Sequence, residues 1–242
     1  MRGLNKTMKL QFDPNQQFQL EAVAAITDLF EGQPQGTPEY SVINVGDFGG
    51  LFAGQARTEL GVGNQLLLDE DKLRANTRLV QSRNDIEVAD PAAALEAWKV
   101  FDAPANCARA CPHFSVEMET GTGKTYVYLR TIFELSQRYG FQKFIIVVPS
   151  VAIREGVRKN LEITADHFKN IYNLEPEFYL YDAKKINRLR DFATKNTLQI
   201  LVINIDAFRK NFTGTESEQK SNVIYKESDR LSGRPPIEFV QA

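Results

Sequence analysis

"FSVEMETGTGKTYVYLRTIFEL", residues Phe114 to Leu135, is the stretch on which the fold of this chain turns. It reads as a buried strand, a glycine loop ending in Lys124-Thr125, and an amphipathic helix reaching about Tyr139. That order of parts holds nucleotide phosphates. The eight residues Met118 to Thr125 follow G-x-x-x-x-G-K-[ST], with Met118 in place of the first glycine. Glycines at 121 and 123 let consecutive backbone N–H groups turn inward around an anion. The helix that follows adds the positive end of its dipole. Thr120, Gly121, Thr122, Gly123, Lys124 and Thr125 are therefore the candidate phosphate-binding residues. Lys124 reaches the β- and γ-phosphates and is the candidate catalytic residue, and the Thr125 hydroxyl is a ligand for magnesium carried by the nucleotide. The competing reading, a glycine-rich turn with an incidental lysine, does not account for strand, loop, Lys-Thr and helix agreeing.

Outward from the loop, the chain alternates strands and helices. "KFIIVVP" is a fully buried strand and "SVAIREGVRKNLEIT" a helix. "EFYLY" is a strand, "DAKKINRLRDFAT" a helix, and "LQILVINI" another apolar strand. This alternation predicts crossover connections and an α/β fold with a mainly parallel sheet and helices on both faces. Beyond Asn211 the chain turns polar, and "IEFVQA" at its end reads as the approach to a further strand. Before the loop, "FDPNQQFQLEAVAAITDLFEG" predicts a helix capped by Asp13, with Pro14 in its first position and Gln16 as capping partner. Its apolar face would be Phe18, Ala22, Ile26 and Leu29, and Gly32 would end it. Between Gln33 and Pro112 the pattern weakens. "LLLDEDKLRANTRLVQSRNDI" and "DPAAALEAWKVF" look helical. The expected organisation is thus an amino-terminal helix at 8–32, a partly helical insertion at 33–112, and a phosphate-loop lobe at 113–242.

Composition places few limits on function. With 242 residues, 43% hydrophobic and 25% charged, the chain can bury a sizeable core, and a net charge of -2 supplies no global field towards nucleic acid or membrane. No run of eighteen apolar residues predicts a membrane span. Cys107 and Cys111 lie near His113, but the spacing is loose for a four-ligand zinc site, and reduced cytoplasmic thiols are the plainer reading.

A phosphate loop of this kind works with an acidic residue at the end of a neighbouring strand. Two stretches imitate one. In "QLLLDEDKL", Asp69 and Glu70 precede the loop, and Asp69 reads as the start of a solvated helix. In "LQILVINIDAF", Asp206 follows a true strand, but Phe208 and Arg209 stand where Asp-Glu would be continued.

"FQLEAV", "METGTGKTYVYLRTIFEL", "FIIVVPSVAIREGV" and "LVINIDAF", in that order, resemble the amino-terminal motor region of the restriction (Res) subunit of type III restriction–modification enzymes, which are superfamily 2 helicase-like ATPases. The resemblance implies a RecA-like lobe, ATP and magnesium as cofactors, double-stranded DNA as a partner through backbone contacts, and a modification (methyltransferase) subunit as a second partner. It implies that Gln19 reads adenine, for which a side-chain amide has the right donor and acceptor. On sequence alone Gln19 is equally a surface glutamine. Ser150 and Arg154 match a motif that touches the DNA backbone, although a helix cap and a solvated arginine explain them as well. Asn204 is a weaker DNA-contacting candidate, and the same match argues against Asp206 as a magnesium ligand. The family's Asp-Glu motif follows a loop resembling "RPPIEFVQA", so the resemblance implies a piece of a larger motor that binds nucleotide without completing its turnover. The readings kept open beside it are an inactive nucleotide-binding or assembly module and the motor lobe of another restriction or repair helicase.

Overall fold

The computed structural model describes residues 11–36, 39–44, 58–87, 99–102, 107–110, 113–208, 223–228, 231, 233 and 235–241. The chain forms two compact units. One comprises Met1–Pro14, Pro34–Leu66 and Ile132–Ala242, the other Asn15–Gln33 and Leu67–Thr131.

The first unit is built on a parallel sheet of β5 (Lys143–Val148), β7 (Gln199–Asn204) and β6 (Glu177–Leu180), in the order β5-β7-β6. Register runs Val148↔Asn204 on one side of β7 and Leu180↔Val202 on the other. The central strand is apolar throughout, and Ile200, Leu201, Val202 and Ile203 are each 0% exposed. A strand buried on both faces needs such an unbroken run. α4 (Val151–Tyr172) connects β5 to β6 and α5 (Asn187–Thr194) connects β6 to β7. Both helices pack on β7. Leu189, Phe192 and Ala193 of α5 bury against Tyr179, Leu201 and Phe239. Phe133 stacks on Phe168 and Tyr172 of α4, with ring centroids 4.7 and 5.4 Å away. The β1–β2 ladder (Glu39–Asn44 with Thr58–Gly63) is antiparallel. The Asn64 amide, just past β2, accepts from the N–H groups of Gln142 and Lys143 and donates to the Lys143 carbonyl, the pattern of a strand neighbour. The Lys143 Nζ donates to the Phe192 carbonyl at 2.5 Å and to that of Lys195, and so closes the carboxyl end of α5.

In the second unit, α1 (Gln17–Thr27) continues into a 3-10 turn at Asp28–Phe30, and α2 (Glu70–Arg83) packs against that end. Leu29 and Leu73 are buried together beside Phe30, Leu68 and Val80. The Asn76 amide donates to the Leu29 and Glu31 carbonyls, and Arg83 pairs with Asp28 at 2.8 Å. Asp69 caps α2 by accepting from the Lys72 N–H at 2.7 Å, as its sequence position predicts. β3 (Lys99–Asp102) and β4 (Cys107–Ala110) form a short antiparallel ladder. α3 (Lys124–Tyr139) begins in this unit, and its residues from Ile132 belong to the first.

Several local expectations are corrected. β5 is not fully buried: Ile145 and Val147, on one face of this edge strand, are 40% and 49% exposed. α1 starts at Gln17 with Gln16 as its N-cap, whose carbonyl accepts from the N–H groups of Gln19 and Leu20, so Asp13 and Pro14 precede the helix. The buried face of α1 is Gln19, Val23 and Thr27, while Phe18 is 46% exposed. Gln19 and Thr27 are polar, so a search for apolar spacing selects the neighbouring stripe instead. Residues 113–119 form no strand, because no neighbouring backbone pairs with them in a ladder. Lys99, Val100 and Phe101, the end of the stretch read as a second insertion helix, lie in β3, and residues 90–98 of that stretch lie outside the described residues. Pro236–Gln241 is a short helix, α6, rather than a strand approach, and it buries Phe239. The ladders β1–β2 and β3–β4 were not legible among the glycines and prolines around them.

Candidate functional site

The phosphate loop, Met118 to Thr125, lies in the second unit and leads into α3. Gly121 and Gly123 have φ of +86° and +85°, a left-handed backbone that costs a side chain about 1–2 kcal/mol. A Cβ at Gly121 would meet nothing within 4 Å, so the loop is open there. A Cβ at Gly123 would lie 2.7 Å from Gln19 Nε2. The second glycine is therefore required twice, for its φ and for the approach of Gln19. Gln19 is buried, and its Nε2 donates to the Thr122 carbonyl at 3.0 Å. This bond spans more than a hundred residues and fixes α1 to the loop. It also leaves the Gln19 carbonyl and a second N–H for a ligand.

Two donors turn back on one loop carbonyl. Lys124 Nζ and Thr122 Oγ1 each donate to the Glu119 carbonyl at 2.7 Å. Lys124 is exposed, and its ammonium spans the mouth of the loop. A triphosphate can exchange the single neutral carbonyl partner for charged oxygens, which make a stronger bond to an ammonium. Thr120 opens the loop and is exposed. Thr125 hydrogen-bonds Tyr128, one turn along α3. Burial pushes the Tyr128 phenol up, and the bond with Thr125 pulls it partly back. Two positive-φ glycines, one of them beside open space, a lysine and the first turn of a helix fit a nucleotide triphosphate. The side-chain oxygens within Met118–Thr125 are the Glu119 carboxylate and the hydroxyls of Thr120, Thr122 and Thr125. No group of three or more His, Cys, Asp or Glu that could hold a metal occurs among the described residues, and Cys111 lies outside them.

The remaining candidates gather in the first unit, at the carboxyl end of the parallel sheet, where open α/β sheets bind ligands. Ser150 follows β5 and caps α4 by accepting from the Ile153 N–H at 3.3 Å. Arg154, in the first turn of α4, donates to the Tyr181 carbonyl beyond β6 at 3.3 Å and lies 3.6 Å from Glu155. Asn204 ends β7 and its Oδ1 accepts from the Asp206 N–H at 3.1 Å. Asp206 is in an exposed 3-10 turn. Parallel register brings Ser150, Arg154 and Asn204 to one sheet end, and each already has a bond within the protein.

Sequence reasoning overlooked the Glu119 carbonyl, because a backbone acceptor carries no residue signal. It also overlooked Tyr128, whose spacing of three from Thr125 on a helix could have pointed to it.

The sequence profile of the family described as "Type III restriction enzyme, res subunit" matches residues 75–231, well over half of the 242. The chain belongs to the type III restriction enzyme Res subunit family. The matched span contains most of α2, the phosphate loop and the whole parallel sheet. Relatives of this Res-family chain include the type III restriction-modification enzyme EcoPI Res subunit of Escherichia phage P1, 36% identical over 126 residues, 51% of this chain and 12% of the relative. The EcoP15I Res subunit of Escherichia coli is 44% identical over 72 residues, 29% of this chain and 7% of the relative. The StyLTI Res subunit of Salmonella typhimurium is 50% identical over 62 residues, 25% and 6%. The Res-family chain thus spans no more than 12% of the length of these relatives. No helix among its described residues is long and apolar enough to cross a membrane.

Proposed function

We propose that this chain is the ATP-binding half of a DNA-dependent ATPase and translocase of a type III restriction endonuclease. The observation that carries the proposal is the bond from Gln19 to the Thr122 carbonyl, which holds an amide beside a phosphate loop headed by Lys124. On this reading Gly121 to Lys124 wrap the phosphates, Gln19 meets the edge of adenine, and Lys124 draws charge from the γ-phosphate as it is transferred to water. Thr125 would hold the magnesium that accompanies the nucleotide, and the ion would neutralise charge on the phosphates. The fold reading that goes with it is a RecA-like lobe with helices on both faces of the sheet. The reversal of direction between the β5-to-β6 and β6-to-β7 crossovers supports that reading, since right-handed connections of opposite direction lie on opposite faces. The organisation proposed is an amino-terminal motif at 8–32, an insertion at 33–112 and the lobe at 113–242.

Ser150, Arg154 and Asn204 are proposed to lie along the backbone of double-stranded DNA. Their common position at the carboxyl end of the sheet supports this. Membership of the Res family makes a modification subunit the proposed protein partner and the cytoplasm the proposed location. None of β5, β6 and β7 leads directly into an adjacent Asp-Glu pair. With no such pair to hold magnesium and water, the 242-residue chain is expected to bind ATP without sustained turnover.

Titration calorimetry with magnesium and ATP tests the proposal. The parent chain should bind and Lys124→Ala should bind much more weakly. Equal affinity would refute nucleotide binding by the loop. Phosphate release should stay near background with or without DNA. DNA-stimulated hydrolysis abolished by Asp206→Asn would make Asp206 the acidic partner and the chain a self-sufficient ATPase.

A further inference from the structure

β5 forms an edge of the parallel sheet. β7 lies on one side of it, and no strand among the described residues lies on the other. Along a strand, the N–H and C=O of one residue point to one side and those of the next residue to the other. The Gln142 carbonyl accepts from the Gln199 N–H, so the backbone groups of Gln142, Phe144, Ile146 and Val148 face β7. The Lys143 N–H and carbonyl both bond Asn64, so those of Lys143, Ile145 and Val147 face outward. Asn64 thus occupies the edge at Lys143, and Pro149, past the other end, has no N–H. Between these limits the outward groups are those of Ile145 and Val147. The side chains of the same two residues share one face and are exposed. β6, at the other edge, keeps its apolar side chains half-buried or buried. Sheet edges are usually guarded by a charge. Phe144 to Val148 carries none, and the ammonium of Lys143 is tied to the Phe192 and Lys195 carbonyls.

We propose that this edge is an interface between two copies of the chain, which pair β5 with β5 antiparallel about a two-fold axis at Ile146. The proposal is independent of the phosphate-loop reading. In an antiparallel ladder, hydrogen-bonded pairs recur at every second residue. That is the spacing of Ile145 and Val147. A two-fold axis at Ile146 sets Ile145 of one copy opposite Val147 of the other, and Val147 opposite Ile145. Each pair exchanges two N–H···O bonds, and no outward group between Asn64 and Pro149 is left over. The four aliphatic side chains then lie together on one face. An identical strand brings this match by symmetry and adds no charge to the contact, which is why a second copy is the occupant. Such an isologous contact uses up the edge, so assembly stops at two copies.

The test is analytical ultracentrifugation of the 242-residue chain from micromolar to near-millimolar concentration. The parent should pass from one copy to two and no further. Ile145→Lys/Val147→Lys sets like charges opposite each other in both pairs and should weaken association at least about ten-fold. Ile145→Lys/Val147→Glu sets opposite charges across both pairs and should restore the dimer, now sensitive to salt. Both variants alter exposed side chains, and circular dichroism matching the parent verifies their folding. Recovery in the second variant is a result that a folding defect does not give. A parent that stays monomeric throughout leaves the edge to a different strand, and the proposal is overturned. Equal association by the parent and the double-lysine variant puts the contact elsewhere and also overturns it, as does growth of the parent beyond two copies. Loss of the dimer in both variants rejects this pairing.

Discussion

The phosphate loop and the carboxyl end of the parallel sheet both collect polar residues of the types that bind phosphate groups, and they hold them differently. In the loop, Lys124 donates to a neutral backbone carbonyl, and Gly121 borders open space. At the sheet end, Ser150 caps a helix, Arg154 reaches across to the Tyr181 carbonyl, and Asn204 closes a turn onto Asp206. The first arrangement is one that a ligand improves. The second is already at work joining secondary-structure elements. A residue type at a motif position therefore does not by itself measure capacity for a ligand. What matters is how much existing bonding the ligand must displace.

This contrast can be broken or sharpened by experiment. The largest effect is expected at the loop. Lys124→Ala should weaken ATP binding by about 1.5–3 kcal/mol, the range for a hydrogen bond to a charged group, while leaving the urea midpoint almost unchanged. A large stability loss without an affinity loss would make Lys124 a structural residue and erase the contrast. Next comes Gln19→Ala, measured as the ratio of ATP to GTP affinity. Loss of a bidentate base contact should cost about 1–3 kcal/mol for ATP and little for GTP. An equal loss for both nucleotides would show that Gln19 acts only through the Thr122 carbonyl.

At the sheet end the expected ranking reverses, with stability responding first. Ser150→Ala should lower unfolding stability by about 1 kcal/mol, the usual worth of a serine cap. For Arg154→Met the readout is the dependence of DNA affinity on salt. If the guanidinium meets a phosphate as well as Tyr181, the slope of log affinity against log salt should fall by about one. An unchanged slope with lowered stability would leave Arg154 as a link between α4 and β6 alone.

A separate readout, pH, tests Lys143, which bonds the carboxyl end of α5. Burial pulls its ammonium down to about 8, against the electrostatic pull of Glu177 that raises it. The unfolded chain, with an ordinary lysine near 10.4, then binds more protons than the folded one between those values. This group should make stability rise with pH from about 8 to 10. Tyr179 and Tyr181, pushed by burial to about 12, act in the opposite direction only above about 10. Urea midpoints across that window should climb in the parent, and Lys143→Met should flatten the slope. A steeper climb in the variant would contradict this account.

Much of the architecture was legible in the chain itself. The loop is a local device, since glycines, Lys124 and Thr125 need only each other and the following helix to be recognised. β7 declared itself because a strand buried on both faces must be apolar without interruption, and Asp69 declared itself as a cap because capping is settled within three residues. Other features depended on partners distant in sequence. Residues 114–119 have strand-like composition, but a strand exists only when another backbone pairs with it. Lys99, Val100 and Phe101 passed for helix because short strands carry too few residues to show a period. Gln19 could be read as surface or site until its bond to Thr122 settled which face of α1 is buried. Periodicity and caps are short-range and are written in the sequence. Burial of a polar side chain, pairing of a strand and engagement of Arg154 by a carbonyl twenty-seven residues away depend on what the folded chain brings alongside, and only the tertiary structure decides them.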